Sequence, residues 1–483
     1  MREGFKRKIE RLKILTDSEI EGIHKATLTV LSETGCRFES ERALKLLKKN
    51  GCKVDYETGI VKFSNSIVEH SLKQCPSSFY VKSRVPKDDL LIGGNTVYFM
   101  SSGGAQYVDI ETGITREATM EENNMAVLVT DAIDTVDTWG SYSPYFEIKG
   151  IPPVMLCATS LAQRIRYSTK LSRGAQPTET YIWETQIAQA ANMQIYGVCE
   201  AGSPLFYPKD ATDAAFEYIN AGFPLFTAAG GVMGGTAPVT VAGSLISGNA
   251  ELIAAIVLAQ LIKPGVGVMV NDFVSPMDMS SGGIIFGSLN SSLHQMAFNQ
   301  IWGTFYNIPI VNVSSAFSNS KISDYQCCYE KLHLAMTSAL SGANIIGLHG
   351  GVTAELSYNP ILSIIDNDIA NIIGKTIEGI KVDERTMAVN LINEVGPVPG
   401  TFLNKKHTRD NWKKEYYVPL CADRLSYKEW ISTGKKTAIS KAKEKYEEII
   451  ATHKPVPITS EQGKEINRIL KEAKSYYKKK GLL

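Results

Sequence analysis

The chain has 483 residues, 44% of them hydrophobic and 21% charged, an ordinary make-up for a globular protein with room for one large domain and smaller additions. Its 51 lysines and arginines nearly cancel its 50 aspartates and glutamates, so the net charge of +1 gives no footprint for nucleic acid or for an anionic membrane surface. The eight cysteines are irregularly spaced and include no CxxC pair, which reads as reduced thiols of a cytoplasmic protein.

The opening stretch, MREGFKRKIERLK, is charged and lacks an apolar run ending in a small-residue cleavage site, so no signal peptide is expected. Residues 1–90 read as a helical extension. TDSEIEGIHKATLTVLSETG (16–35) begins on a Thr/Asp cap, keeps a 3.6-residue apolar rhythm and ends at Gly35. ESERALKLLKKNG (39–51) repeats that plan, and a hairpin is expected around Thr58-Gly59.

Residues 91–415 read as the main domain. From about residue 135, seven short apolar runs alternate with helical patterns at 209–222, 238–263, 287–306, 325–342 and 366–380. Such alternation implies parallel strands with crossover helices. An eighth strand at 394–403 (EVGPVPGTFL) would complete a (β/α)8 TIM barrel, an α/β fold; a doubly wound open sheet is the other arrangement, but no G-x-G-x-x-G fingerprint is present. The apolar stretch 238–262 carries Asn249, Glu251 and Gln260, which suits a buried helix of a soluble protein better than a membrane span. Residues 416–483 read as peripheral C-terminal helices with a solvated lysine-rich face.

In such a barrel the chemistry gathers at the carboxyl ends of the strands. Aromatic residues recur there: Trp139 and Tyr142 after the first run, Phe206 and Tyr207 after the third, Phe273 after the fifth and Phe317 after the sixth. Tyr98, Phe99 and Tyr107 lie in TVYFMSSGGAQY, a segment expected to fold over the mouth. Clustered ring faces bind alkylated ammonium groups; packing is the better account of any single ring, and it is their aggregate placement that points to a cation. Gly234 and Gly235, ahead of the helix at 238, offer backbone amides to an anion or simply permit close packing. The seven histidines show no metal-ligand spacing, Cys327-Cys328 make a poor clamp, and no GxSxG or P-loop occurs, so no metal site is expected.

The stretch GGTAPVTVAGSLISGNAELIAAIVLAQLIKPG, followed by VNDFVSPMDM, SNSKISDYQCCYEK and SALSGANIIG, resembles the trimethylamine methyltransferase (MttB) family. YFMSSGGAQYVDIETGITREAT and VDERTMAVNLINEVGPVPGTFLNKKHT are similar to it too, so the resemblance runs from about residue 15 to about 450. It implies a (β/α)8 barrel that moves a methyl group from a methylamine to the Co(I) of a corrinoid (cobalamin) carried by a separate corrinoid protein, with no cofactor bound tightly by the enzyme itself. Founding members of the family use pyrrolysine in the region corresponding to 320–352. Every position here is an ordinary residue, with Gln326 and His349 in that region. This departure shifts the implied donor from trimethylamine to a quaternary amine: glycine betaine, or proline betaine, carnitine or γ-butyrobetaine. A non-catalytic quaternary-ammonium binder is the alternative of another class.

Under this reading His349 lines the mouth and contacts substrate or the approaching corrin, the alternatives being a supporting role behind the contact residues or a structural histidine bonded to backbone. Asp324 and Gln326 are weaker catalytic candidates that also suit a helix start, and Arg173 is the cation best placed for a substrate carboxylate. A homo-oligomer is expected, with no nucleic-acid or membrane partner.

Overall fold

Eight short parallel strands, each bonded to its neighbour in chain order, close into a barrel in the computed structural model, which describes residues 1–483. They are β1 (Thr96–Ser101), β2 (Thr138–Trp139), β3 (Leu171–Ser172), β4 (Gly197–Glu200), β5 (Leu225–Ala229), β6 (Val268–Asp272), β7 (Ile310–Asn312) and β8 (Ile345–His349). β8 pairs back onto β1. β3 and β4 are joined by a single bridge between Arg173 and Tyr196, where Tyr196 N donates to Ser172 O (3.0 Å) and Gly174 N donates to Tyr196 O (2.8 Å). A helix follows every strand: α1 (Met120–Ala132), α2 (Pro153–Tyr167), α3 (Thr180–Ala190), α4 (Lys209–Asn220), α5 (Val241–Ile262), α6 (Leu289–Gln300), α7 (Tyr325–Ser341) and α8 (Pro360–Glu378). This is the (β/α)8 barrel that the strand–helix alternation implies.

The strand count is displaced by one from the sequence expectation. TVYFMS is not a flap over the mouth but β1 itself, buried at all six positions. The run at 344–349 is therefore the eighth strand, and 394–403 forms no strand: the helix Val389–Val395 occupies its start. Inside β1 the side chains alternate. Met100 faces the barrel interior and Tyr98 lies below it, while Val97 and Phe99 face outward, Phe99 edge-on to Phe5 at 5.9 Å.

The apolar stretch near 240–262 is α5, capped by Thr240 rather than begun at Pro238, with 78% of its most apolar window buried. Strands β5 and β6 cover one side, and the N-terminal helices Asp17–Thr29 and Asn65–Gln74 the other, which is why it is apolar all round. The amino-terminal region thus shares a core with the barrel. Its Thr16 capping box forms, as does the hairpin of Lys53–Val54 with Ile60–Lys62. Strand Phe5–Lys6 adds antiparallel to β1 beneath the barrel. Of the carboxyl-terminal helices, Ala438–Thr452 packs on α8 and α1, and Ser460–Lys479 on α2 and α3.

Candidate active site

A cavity of about 270 Å³ opens at the carboxyl ends of the strands, and all eight strands or the loops after them contribute to its wall. Two aromatic pairs face it from opposite sides, because β2 and β6 lie across the barrel from one another. After β2, Tyr142 and Phe146 meet edge to face at 5.6 Å. After β6 and β7, Phe273 and Phe317 cross at 89° with centroids 6.1 Å apart, and buried Phe286 backs Phe317 at 5.3 Å. The backing fixes the ring orientation, so the faces are preorganised rather than mobile.

Three charged side chains share the cavity. Arg173 Nη1 lies 3.0 Å from Glu200 Oε1, its Nε donates to Ser141 Oγ (2.7 Å), and its guanidinium sits 4.5 Å over the Phe226 ring. Arg173 Nη2 makes no hydrogen bond within the protein. Glu355, in the loop after β8, has neither an ion pair nor a hydrogen bond, and burial first and the Glu200 charge second hold its carboxyl above the ordinary range. With Arg173 and Glu200 neutralising each other, an ionised Glu355 leaves the cavity one negative charge in excess. Such a cavity favours a cation over a neutral or anionic guest.

The surrounding structure holds these groups in place. Buried Arg164 donates from Nη1 to Ser141 O (2.9 Å) and Ser143 O (2.6 Å), clamping the loop after β2; its burial lowers it to about 10, so it stays charged. Behind Arg173, Glu184 accepts from Ala175 N (2.7 Å) and Tyr218 OH (2.8 Å), and burial raises its carboxyl to about 7. Gly174 must be glycine, since a Cβ there would sit 2.6 Å from the Tyr218 hydroxyl. Below Glu355, the buried pair Lys331–Asp366 (2.6 Å) pins the loop: Asp366 also accepts from Gly350 N (2.8 Å), and Lys331 donates to Gly351 O (3.2 Å). The loop then passes through Thr353 and Ala354, both at positive φ (57° and 58°), immediately before Glu355. Two consecutive non-glycine residues in that region cost on the order of 1–3 kcal/mol each and persist only where the surroundings impose them.

Of the residues singled out in the sequence, Tyr142, Arg173, Phe273 and Phe317 line this cavity. His349 does not. The pairing of β8 with β1 slips by one residue between Gly347 and His349, which turns the imidazole out of the barrel. It is fully buried against Phe99, 3.2 Å from Ser363 O at Nδ1 and 3.3 Å from Thr135 Oγ1 at Nε2, and burial lowers it to about 3, so it is neutral. Asp324 caps α7, accepting from Cys327 N (2.9 Å) and Ser320 Oγ (2.7 Å), and Gln326 donates to Glu330 (2.8 Å) on the same helix.

The remaining rings are also spent on packing. Trp139 is buried and donates to Ser168 Oγ (3.3 Å). Tyr98 is buried and donates to Arg2 O (3.4 Å), and Phe99 is buried beside Phe5. Tyr107 stacks under Arg116 at 4.4 Å. Phe206 and Tyr207 form a strand joined to Cys36–Phe38, tying the amino-terminal region to the barrel. The amides of Gly234 and Gly235 are taken by Ala237 O and Val232 O (2.9 Å each), so they are not free for an anion. Sequence reasoning passed over Glu200 and Glu355. Glu355 ends the stretch HGGVTAE, where the histidine draws attention first, and Glu200 is the last residue of its strand in GVCEAG, where an acid looks like ordinary loop polarity.

A family model described as Trimethylamine methyltransferase (MTTB) matches residues 2–475. The glycine betaine methyltransferase of Desulfitobacterium hafniense strain Y51 is 30% identical over 467 residues, 94% of this chain and 95% of that protein. The trimethylamine methyltransferase MttB of Desulfitobacterium hafniense strain DSM 10664 / DCB-2 is 27% identical over 482 residues, 96% of this chain and 94% of that one. Among solved structures, the Methanosarcina barkeri monomethylamine methyltransferase MtmB aligns over 97% of this chain and 96% of its own, with 14% identity and a TM-score of 0.45. The protein therefore belongs to the trimethylamine methyltransferase (MTTB) family and is a methyltransferase.

Proposed function

We propose that the protein takes a methyl group from a quaternary amine of the betaine class, glycine betaine first among them, and delivers it to the reduced cobalt, Co(I), of a corrinoid carried by a separate protein in the cytoplasm. The observation that carries this reading is the cavity itself: ring faces on opposite walls, with one unpaired carboxylate between them. A quaternary nitrogen has no N–H to donate, so it is recognised by ring faces and by charge rather than by acceptors. The name of the relative at 30% identity supports the same donor class.

The chemistry asks little of the side chains. The acceptor supplies the nucleophilic electron pair. The breaking C–N pair stays on nitrogen, which leaves as a neutral tertiary amine, so no side chain has to give or take a proton. The enzyme's work is to desolvate the cation and present one methyl outward in line. Tyr142, Phe146, Phe273 and Phe317 hold the trimethylammonium head, Glu355 balances its charge, and Arg173 Nη2 meets the donor's carboxylate.

Incubating the protein with chemically reduced free cobalamin and a panel of quaternary amines tests this directly. Methylcobalamin is expected to form, read by its absorbance spectrum, with at least one betaine. If no quaternary amine methylates cobalamin while a betaine still binds by calorimetry, the protein is a binder and the proposal falls.

A further inference from the structure

A donor whose methyl faces outward has its other end pointing into the barrel. A carboxylate taken there from water needs several hydrogen-bond donors, or its desolvation stands against binding. Arg173 alone falls short, because Nη1 is held by Glu200 and Nε by Ser141, which leaves Nη2. The serines of the wall have already spent their protons. Ser101 Oγ donates to Ser102 O (3.2 Å), Ser102 Oγ to His349 O (2.8 Å), Ser143 Oγ to Ser102 O (2.6 Å) and Ser141 Oγ to Gly174 O. Besides the Tyr142 hydroxyl, on a ring that faces the ammonium head, one side-chain donor of the wall is left. Asn271, on β6, is only 1% exposed and lines the cavity. Its Oδ1 accepts from Val313 N (3.0 Å), and since a backbone N–H can only donate, this bond fixes which way round the amide sits. Nδ2 is turned to the cavity and makes no hydrogen bond within the protein.

The strand register sets its height. Ala228 on β5 pairs with Asn271, and Phe226 with Met269. The inward faces therefore read Phe226, Ala228, Gly230 on β5 and Met269, Asn271, Phe273 on β6. Asn271 lies one layer beneath the Phe273 ring. The Arg173 guanidinium reaches down to the same depth, since it lies over the Phe226 ring. Between the two, β5 offers only the Ala228 methyl and the bare backbone of Gly230, which leaves a slot open.

We infer that Asn271 is the second anchor of the donor's carboxylate: Nδ2 from β6 and Arg173 Nη2 from the end of β3 hold it in the slot above Phe226, and the smallness of Ala228 keeps that slot clear. The inference rests on the reading of the donor as a betaine. An amide suits this place better than a second cation would. It donates without adding charge, so the excess negative charge that attracts the ammonium head survives. With the acidic end tethered at a fixed depth by two donors, the head is held at a fixed height against the rings, as the in-line presentation of one methyl requires.

Calorimetry on the full chain tests this with two probes, glycine betaine and tetramethylammonium, which has a quaternary head and no carboxylate. Asn271→Ala is expected to weaken glycine betaine about 10- to 100-fold and to leave tetramethylammonium within about twofold. Ala228→Val fills the slot, leaves Val313 N its acceptor, and is expected to separate the two probes in the same direction. An equal effect on both probes in either variant overturns the inference. If Asn271→Ala does not fold with Val313 N unpaired, Ala228→Val decides alone. A wild-type chain that binds tetramethylammonium but not glycine betaine overturns the slot and leaves the ring cage standing. One that binds neither defeats the quaternary-amine reading and the inference with it.

Discussion

Glu355 and Glu200 put two carboxyl groups into one cavity, but only Glu200 has a cation, its Oε1 3.0 Å from Arg173 Nη1. A desolvated carboxyl without a partner resists ionisation, and Glu200 adds to that resistance. A bound quaternary ammonium favours the ionised form. Binding therefore releases a proton, and affinity rises with pH through the titration of Glu355 until the carboxyl is ionised in the empty enzyme as well. Glu355→Gln is expected to weaken the binding of a quaternary ammonium about 10- to 100-fold, roughly 1.4–2.8 kcal/mol, and to flatten the pH slope. Calorimetry in buffers of different ionisation enthalpy reads both effects, and an unchanged slope in the variant would rule Glu355 out as the titrating group.

Phe317→Leu keeps apolar bulk but removes a ring face. The loss of about 0.5–2 kcal/mol of cation–π attraction should raise KM for the amine roughly 2- to 30-fold. Phe317→Tyr, which keeps the face, should stay close to wild type. Equal effects from both replacements would mean that shape alone matters at this wall.

Arg173 is expected to separate donors by their far end. Arg173→Met removes the partner of a substrate carboxylate and leaves Glu200 as a second unpaired anion. Glycine betaine should lose about 10- to 100-fold in affinity, whereas choline, which has no carboxylate, should bind as well as before or better. A uniform loss across both donors would place Arg173 in loop support rather than in recognition.

His349 is expected to act on stability and not on turnover. Its folded form is neutral, held down to about 3 by burial, against about 6.5 when unfolded. Between those values the unfolded chain binds the extra proton, so stability falls as pH drops through that window and is flat above it. His349→Gln should remove that acid sensitivity, measured by urea midpoints from pH 4 to pH 7 as conditions for the titration, while leaving the pH profile of methyl transfer above neutrality unmoved. Loss of transfer by well-folded variant protein would contradict this assignment.

The alternation of apolar runs and helical patterns made the barrel legible in the sequence; of the rings singled out, Tyr142, Phe273 and Phe317 line the cavity and the others pack elsewhere. The count slipped by one because β1 is preceded by a hairpin, Ser78–Val81 with Leu90–Gly93, rather than by a barrel helix, so nothing in the rhythm announces it. Orientation was the harder problem. Phe99 and Met100 are neighbours of similar character, yet one faces outward and the other faces the site. In β8 a one-residue slip redirects His349, and a slip of that kind leaves no mark on composition or periodicity. Glu355 owes its position to Thr353 and Ala354 in a conformation neither residue prefers, which no local propensity would suggest.

The seam between β3 and β4 has a use of its own. Every other join in the barrel has two or more paired positions, and this one has a single bridge, made by Arg173. The side chain proposed to meet a donor's carboxylate thus stands on the least reinforced stave. Parting this one stave would enlarge the chamber without dismantling the rest of the hoop.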